Sequence, residues 1–235
     1  MNAPRLPLRT PALAATSFTL VVLGACAGGE CPAVRPPELI DERRVLLQPD
    51  DPAFDVTAPD TFRVRFETTT GPFTVEVVRA WAPLGADRFY ALVTNGFFED
   101  IALFRVIAGF MAQFGLHGVP AVNDAWRDER LPDDPVVVSN VRGTLAYAKA
   151  GPDSRTTQLF INYGTNERLD ADGFAPIARV VNGMDALLRV YSGYGETAPT
   201  GNGPALGCMQ QGGNNYLRGE FERMDYIASA RIVTE

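Results

Sequence analysis

The sequence predicts a mainly β domain, a closed antiparallel eight-stranded barrel capped by two helices. Three observations carry that expectation. From Phe62 onward, short runs alternate apolar and polar residues, the period of a strand with one buried face. Only two stretches repeat apolar residues at helical spacing. The 22 glycines and 18 prolines punctuate the remainder, as turns between short strands require. Closing such a sheet into a barrel removes its unpaired edges.

The chain ahead of that pattern divides in two. Residues 1–25 have the parts of an export signal: Arg5 and Arg9, then an apolar stretch from Ala12 to Leu23 broken only by Thr16, Ser17 and Thr19. That stretch falls short of the ~20 apolar residues needed to span a bilayer. Its end, Leu23-Gly24-Ala25-Cys26, resembles a bacterial lipobox, where cleavage precedes the cysteine and the cysteine is acylated. An ordinary cleaved signal with a chance cysteine is the alternative. The lipobox reading implies export to a periplasmic or other extracytoplasmic face, with a membrane anchor at Cys26. The absence of Asp just after Cys26 points to an outer membrane, where one exists. Each buried CH₂ contributes ~0.8 kcal/mol, so several acyl chains hold a soluble domain firmly. Residues 26–60 contain six prolines and many acidic residues with no sustained period, which reads as a flexible tether with a short packed segment at Arg44 to Leu47.

The domain itself is expected over 61–235. Phe62, Val64 and Phe66 alternate with polar residues, Thr70-Gly71-Pro72 makes a turn, and Phe73, Val75 and Val77 return as a hairpin. Pro83 then opens an amphipathic helix through Ala86, Phe89, Tyr90 and Val93, with Gly96 as its stop. Further strands are expected at Ala102–Val106, Met111–Phe114, Gly143–Ala148, Leu159–Tyr163, Pro176–Val181 and Tyr226–Val233, with a second helix at Met184 to Tyr191. Two excursions, His117 to Pro135 and Gly193 to Glu220, are longer than the pattern needs and read as loops.

Composition excludes several functions. The formal charge is −7 and Lys149 is the only lysine, so the basic face that replaces phosphate counterions is lacking and nucleic acid is excluded as a partner. Three cysteines and one histidine, His117, form no cluster with metal-ligand spacing, so no metal is expected. His117 is expected as an exposed loop residue. In an oxidising compartment with Cys26 acylated, Cys31 and Cys208 are the remaining thiols and a disulfide between them is expected, two free thiols being the alternative.

Two segments carry chemistry: Phe104-Arg105-Val106-Ile107-Ala108-Gly109-Phe110-Met111-Ala112-Gln113, and Gly143 to Pro152 continuing to Thr157-Gln158-Leu159-Phe160. They resemble the cyclophilin stretches F-H-R-x-I-x-x-F-x-x-Q and A-x-A-G-P-x-x-x-x-S-Q-F-F. Leu169-Asp170 through Phe174 to Gly183-Met184 is similar to the family's L-D-x-x-x-V-x-F-G-x-V-x-x-G-M. The resemblance runs in order from about residue 61 to the end. It implies a cyclophilin-like barrel and a peptidyl-prolyl cis/trans isomerase acting on proline-containing polypeptides as a monomer without a cofactor. Arg105 is then the catalytic cation, Phe110, Met111, Phe160, Leu169 and Phe174 grip the proline, and Gln113 and Gln158 orient the arginine and the substrate backbone. Ala148, Lys149 and Ala150 correspond to the substrate-binding strand.

An arginine suits the task. Prolyl amide rotation faces a barrier of ~18–20 kcal/mol, and no covalent step is needed. A fixed cation beside the amide nitrogen favours the twisted amide, whose lone pair accepts hydrogen bonds, over either planar form. Three positions depart from the family pattern. Phe104 and Arg168 stand where the family often has histidine and tryptophan, and Phe174 aligns with a pocket histidine. All three are expected at the pocket or its border, altering peptide preference and weakening cyclosporin binding. The rival readings are a weakly active module that docks proline segments and a structural envelope lipoprotein. The cation beside an intact pocket favours the enzyme.

Overall fold

The computed structural model of the chain describes residues 31–234. Residues 1–25, expected from the sequence to be an export signal, and Cys26 lie outside the described residues. Nine strands form one antiparallel sheet: β1 Thr61–Thr68, β2 Phe73–Val78, β3 Ile101–Ala102, β4 Arg105–Ile107, β5 Met111–Phe114, β6 Thr144–Tyr147, β7 Leu159–Asn162, β8 Pro176–Asn182 and β9 Tyr226–Val233. Their order is β3-β9-β1-β2-β8-β6-β7-β5-β4. The hairpin registers as its alternation requires, with Phe62, Val64 and Phe66 opposite Val77, Val75 and Phe73. All six are buried, and the Phe66 and Phe73 rings stack at 4.5 Å.

The sheet is an open, curled half-barrel, not the closed eight-stranded barrel expected from the sequence. The expected Ala102–Val106 strand breaks at Leu103-Phe104: β3 pairs with β9 while β4 pairs with β5 at the opposite edge. In an alternating order of nine, first and last strands point the same way. Closing the gap would demand a parallel pair joined by two residues, whereas parallel neighbours need a crossover of a dozen or more. The two edges are therefore linked by the chain and not by a hydrogen-bond ladder.

Helix α1, Pro83–Thr94, packs Ala86, Phe89, Leu92 and Val93 into the core. Its start is served from a distance: the N–H groups of Leu84 and Gly85 donate to the two oxygens of Asp134. It ends where expected. Gly96 takes φ +71°, its N–H donates to Val93 O, and Phe97 N–H reaches Leu92 O, satisfying carbonyls of the last turn.

The two-helix expectation is also corrected, because α2 Pro120–Trp126, α3 Arg168–Ala171, α4 Met184–Leu188 and α5 Leu206–Glu220 follow α1. Both long excursions are thus folded. Cys208, Met209, Tyr216 and Leu217 of α5 make a satellite core with Phe104 and Met224. The segment expected as a tether lies against the body from Cys31 onward. Cys31 is disulfide-bonded to Cys208, Leu46 is fully buried, and the Trp126 indole donates to Leu46 O at 2.8 Å. His117, expected in an exposed loop, is buried against the Phe97 ring, and its Nδ1 accepts from Val119 N–H. No helix among the described residues is long and apolar enough to cross a membrane.

Candidate active site

Strand period places the site on the outer face of the sheet. Along β5, Ala112 and Phe114 join the main core, so Met111 and Gln113 must point the other way. Register carries that face across four strands: Arg105 lies opposite Gln113, Gln113 opposite Phe160, and Phe160 opposite Ala146. Met111, Ala146, Phe160 and Leu169 make a small apolar cluster of their own, with Phe110, Ala148 and Phe174 packed on it.

Above this cluster is a cavity of about 170 Å³ lined by Arg105, Phe110, Met111, Gln113, Ala148, Lys149, Phe160, Leu169 and Phe174. That is below the ~300–1,000 Å³ of pockets for drug-sized ligands and suits a single small side chain. The Phe160 and Phe174 rings meet edge to face at 5.7 Å, giving it a rigid apolar wall.

Arg105 Nη1 donates to Gln113 Oε1 at 2.9 Å, and Gln113 Nε2 donates to Gln158 Oε1 at 3.0 Å. Gln158 therefore does not line the cavity and meets it only through its hydrogen bond with Gln113. Ala150 is exposed on the turn beyond the pocket, where its N–H donates to Ser154 Oγ. Lys149 lines the cavity with its charge already paired: Nζ is 2.7 Å from Asp133 Oδ2 and 5.4 Å from the Phe174 ring centre. Burial works to raise the Asp133 carboxyl, but hydrogen bonds from Lys149 and the Asp153 N–H outweigh it and hold the group below its usual range.

The three departures separate in space. Phe174 lines the cavity, and the Arg168 guanidinium lies 4.7 Å from the centre of the Phe110 ring, at the cavity's rim. Phe104 does not border the cavity, contrary to the sequence expectation. It is buried in the satellite core, where an apolar ring is what α5 requires.

Two features were not found from sequence. One is Glu196, whose carboxylate grips Arg105 through Nε at 2.5 Å and Nη2 at 2.6 Å. Those hydrogen bonds, ahead of any other influence, hold the Glu196 carboxyl below its usual range. Its only sequence signal is a lone acid in a Gly-rich stretch 91 residues away. The other is an amide network beneath the pocket. Asn166 Nδ2 donates to Phe110 O and Asn162 Oδ1, and Asn140 Nδ2 donates to Phe174 O and Asp170 Oδ1. Asn140 and Asn162 are fully buried, so this network fixes the backbone of two pocket walls. Among the described residues no three His, Cys, Asp or Glu side chains gather as a metal site requires.

Three kinds of comparison with known proteins agree on one family. Residues 63–204 match the family described as cyclophilin type peptidyl-prolyl cis-trans isomerase/CLD. A peptidyl-prolyl cis-trans isomerase of Acinetobacter baylyi is 33% identical over 132 residues, which is 54% of this chain and 70% of that protein. Peptidyl-prolyl cis-trans isomerase B of Escherichia coli is 31% identical over 135 residues, 54% of this chain and 82% of that one. In fold, the chain is similar to a cyclophilin type isomerase from Cryptosporidium parvum, with TM-score 0.56, 18% identity, and coverage of 74% of this chain and 99% of that one. The same parasite protein crystallised in the presence of the dipeptide Ala-Pro gives TM-score 0.53. Family match, relatives and architecture agree, and the chain belongs to the cyclophilin-type peptidyl-prolyl cis-trans isomerases, which are isomerase enzymes.

Proposed function

We propose that this isomerase acts on X-Pro bonds of exported polypeptides by non-covalent catalysis, with Arg105 as the cation that favours the twisted amide. The observation that carries the reading is the presence of the Arg105 guanidinium in the wall of an apolar cavity sized for a proline ring. Phe110, Met111, Phe160, Leu169 and Phe174 exclude water from the ring, which strengthens every hydrogen bond made inside. As the peptide unit rotates, conjugation is lost and the prolyl nitrogen gains a lone pair. A guanidinium N–H directed there is worth more in that state than in either planar form, which is the differential binding that lowers a barrier. Each 1.36 kcal/mol so gained is about tenfold in rate. The neighbouring protein crystallised with Ala-Pro supports the same class of ligand.

The test is isomerisation of a short X-Pro peptide by the full chain beside Arg105→Ala. Loss of one such preorganised donor should lower kcat/KM by about 10²–10³-fold while leaving the denaturation midpoint near that of the parent. Peptide affinity without turnover in the folded parent would instead return the docking-module reading.

Export and anchoring complete the proposal. The chain is carried to an extracytoplasmic face and held at a membrane by acylated Cys26, with no further protein needed for a monomer to work. Cys26→Ser should move it from the membrane fraction to the soluble fraction and abolish incorporation of labelled fatty acid. Unchanged membrane association of that variant would defeat the anchor.

A further inference from the structure

We propose that Glu196 is a positioning residue of this active site: it clamps Arg105 from outside the pocket and aims the guanidinium's remaining N–H groups at the bound prolyl peptide. The proposal rests on the reading of Arg105 as the catalytic cation.

The donors can be counted. A guanidinium side chain offers five N–H groups, one on Nε and two on each terminal nitrogen. Glu196 takes one each from Nε and Nη2, and Gln113 takes one from Nη1. The two left over are one N–H on Nη1 and one on Nη2, so the free donors are all terminal. Arg105 lines the cavity and Glu196 does not, which puts the carboxylate behind the guanidinium and not between it and the substrate.

The clamp is itself built into the fold. Glu196 Oε1 also accepts from the backbone N–H of Thr197 at 2.9 Å and from its hydroxyl at 3.2 Å, so the carboxylate is oriented before it meets the arginine. The loop carrying it is tied to the strand carrying Arg105, because Gly195 bridges Val106. It then folds back over itself: Gly203 N–H donates to Glu196 O at 2.8 Å. Glycine is required on this return, since a Cβ at Gly201 would fall 2.3 Å from Glu196 O and one at Gly203 would fall 2.7 Å from it.

A carboxylate so close offsets part of the cation's charge, and on that ground alone it should slow catalysis. Direction decides the other way. Arg105 is partly exposed, and a long side chain held only through Nη1 retains freedom about its other bonds. A bidentate fork fixes the guanidinium plane, and misplacement on the scale of 1 Å can cost about a hundredfold in rate.

Four forms of the full chain test this: the parent, Arg105→Ala, Glu196→Gln, and the double variant, assayed on one X-Pro peptide with kcat and KM resolved. Glu196→Gln should lower kcat about tenfold with KM within about twofold, and should shift or broaden the Arg105 Nε–H resonance. Glu196→Asp, shorter by one methylene, should fall between parent and Gln, and serves if the Gln variant folds poorly. In the double variant the Glu196 effect should vanish, because the residue acts only through Arg105. An unchanged or faster kcat in Glu196→Gln, or an equal loss with Arg105 already removed, overturns the positioning role while Arg105→Ala still reports on the cation. Equal rates for the parent and Arg105→Ala overturn the cation and the proposal with it.

Discussion

Asp134 shows how a single carboxylate can be worth more to stability than any surface pair. It is buried, accepts from two N–H groups at the start of α1, and lies 3.0 Å from Nη1 of Arg155. Arg155 is itself 2% exposed, with Asp133 at 3.5 Å on its other side. Removing Asp134 leaves buried Arg155 with only Asp133 as counter-charge and leaves the Leu84 and Gly85 N–H groups without their acceptor, at a cost of about 3 kcal/mol. Asp134→Ala should therefore lower the unfolding free energy by about that much, read as a fall in the urea midpoint. The exposed Arg189–Asp185 pair is the control, and Arg189→Ala should change stability by about 1 kcal/mol or less. Residue-level chemistry was legible where it followed strand period. Arg105 and Gln113 had to share a face once β4 and β5 paired, and Gln113 brought Phe160 with it. Glu196 and Asp134 were not legible, because each meets its arginine through a loop whose path no local pattern encodes.

At the scale of elements, the contrast is between α1 and α5. The first carries its own boundaries, Pro83 at its start and Gly96 at its end, and a sustained apolar stripe between them. The second hides its stripe. Gly212 and Gly213 interrupt it, and the helical path breaks at Gly213, whose φ is +54°; only glycine fits there, since a Cβ would fall 2.0 Å from Gly118 O. Tertiary packing supplies what propensity lacks, through the satellite core and the disulfide from Cys31. The same packing explains why the residue before Arg105 is a phenylalanine. The Cys31–Cys208 bond closes a loop of 177 residues, and a native crosslink of this kind typically contributes about 2–5 kcal/mol. Reduction, or Cys208→Ala, should lower the urea midpoint accordingly and increase hydrogen exchange first in α5 and residues 31–47. An unfolding free energy insensitive to reductant would show that the satellite core holds without the bond.

Over the whole molecule, burial of one imidazole ties stability to acidity. His117 is the only histidine in the chain, and it is 3% exposed. Burial, ahead of the nearby Arg43 charge, lowers its pKa from 6.5 to about 4. Its Nδ1 is occupied as an acceptor from Val119 N–H, so a proton there would break that bond as well as place a charge beside Phe97. The unfolded chain takes up a proton as pH falls through about 6.5, whereas the folded chain resists until about 4. The folded state therefore loses stability progressively across that window and no further from this group below it. The gap between those two values corresponds to a loss on the order of 3 kcal/mol. Glu76, Asp87, Asp133, Asp170 and Glu196 all have lowered pKa values, so their contribution is present above the ordinary carboxylate range and is lost only as pH falls through those depressed values. The histidine window thus comes first on acidification. Urea midpoints should fall steadily from pH 7 to pH 4.5, and the single imidazole resonance of the folded protein should still report a neutral ring at pH 5. A ring that titrates near 6.5 in the folded state would break the link, and the acid sensitivity would then belong to the carboxylates alone.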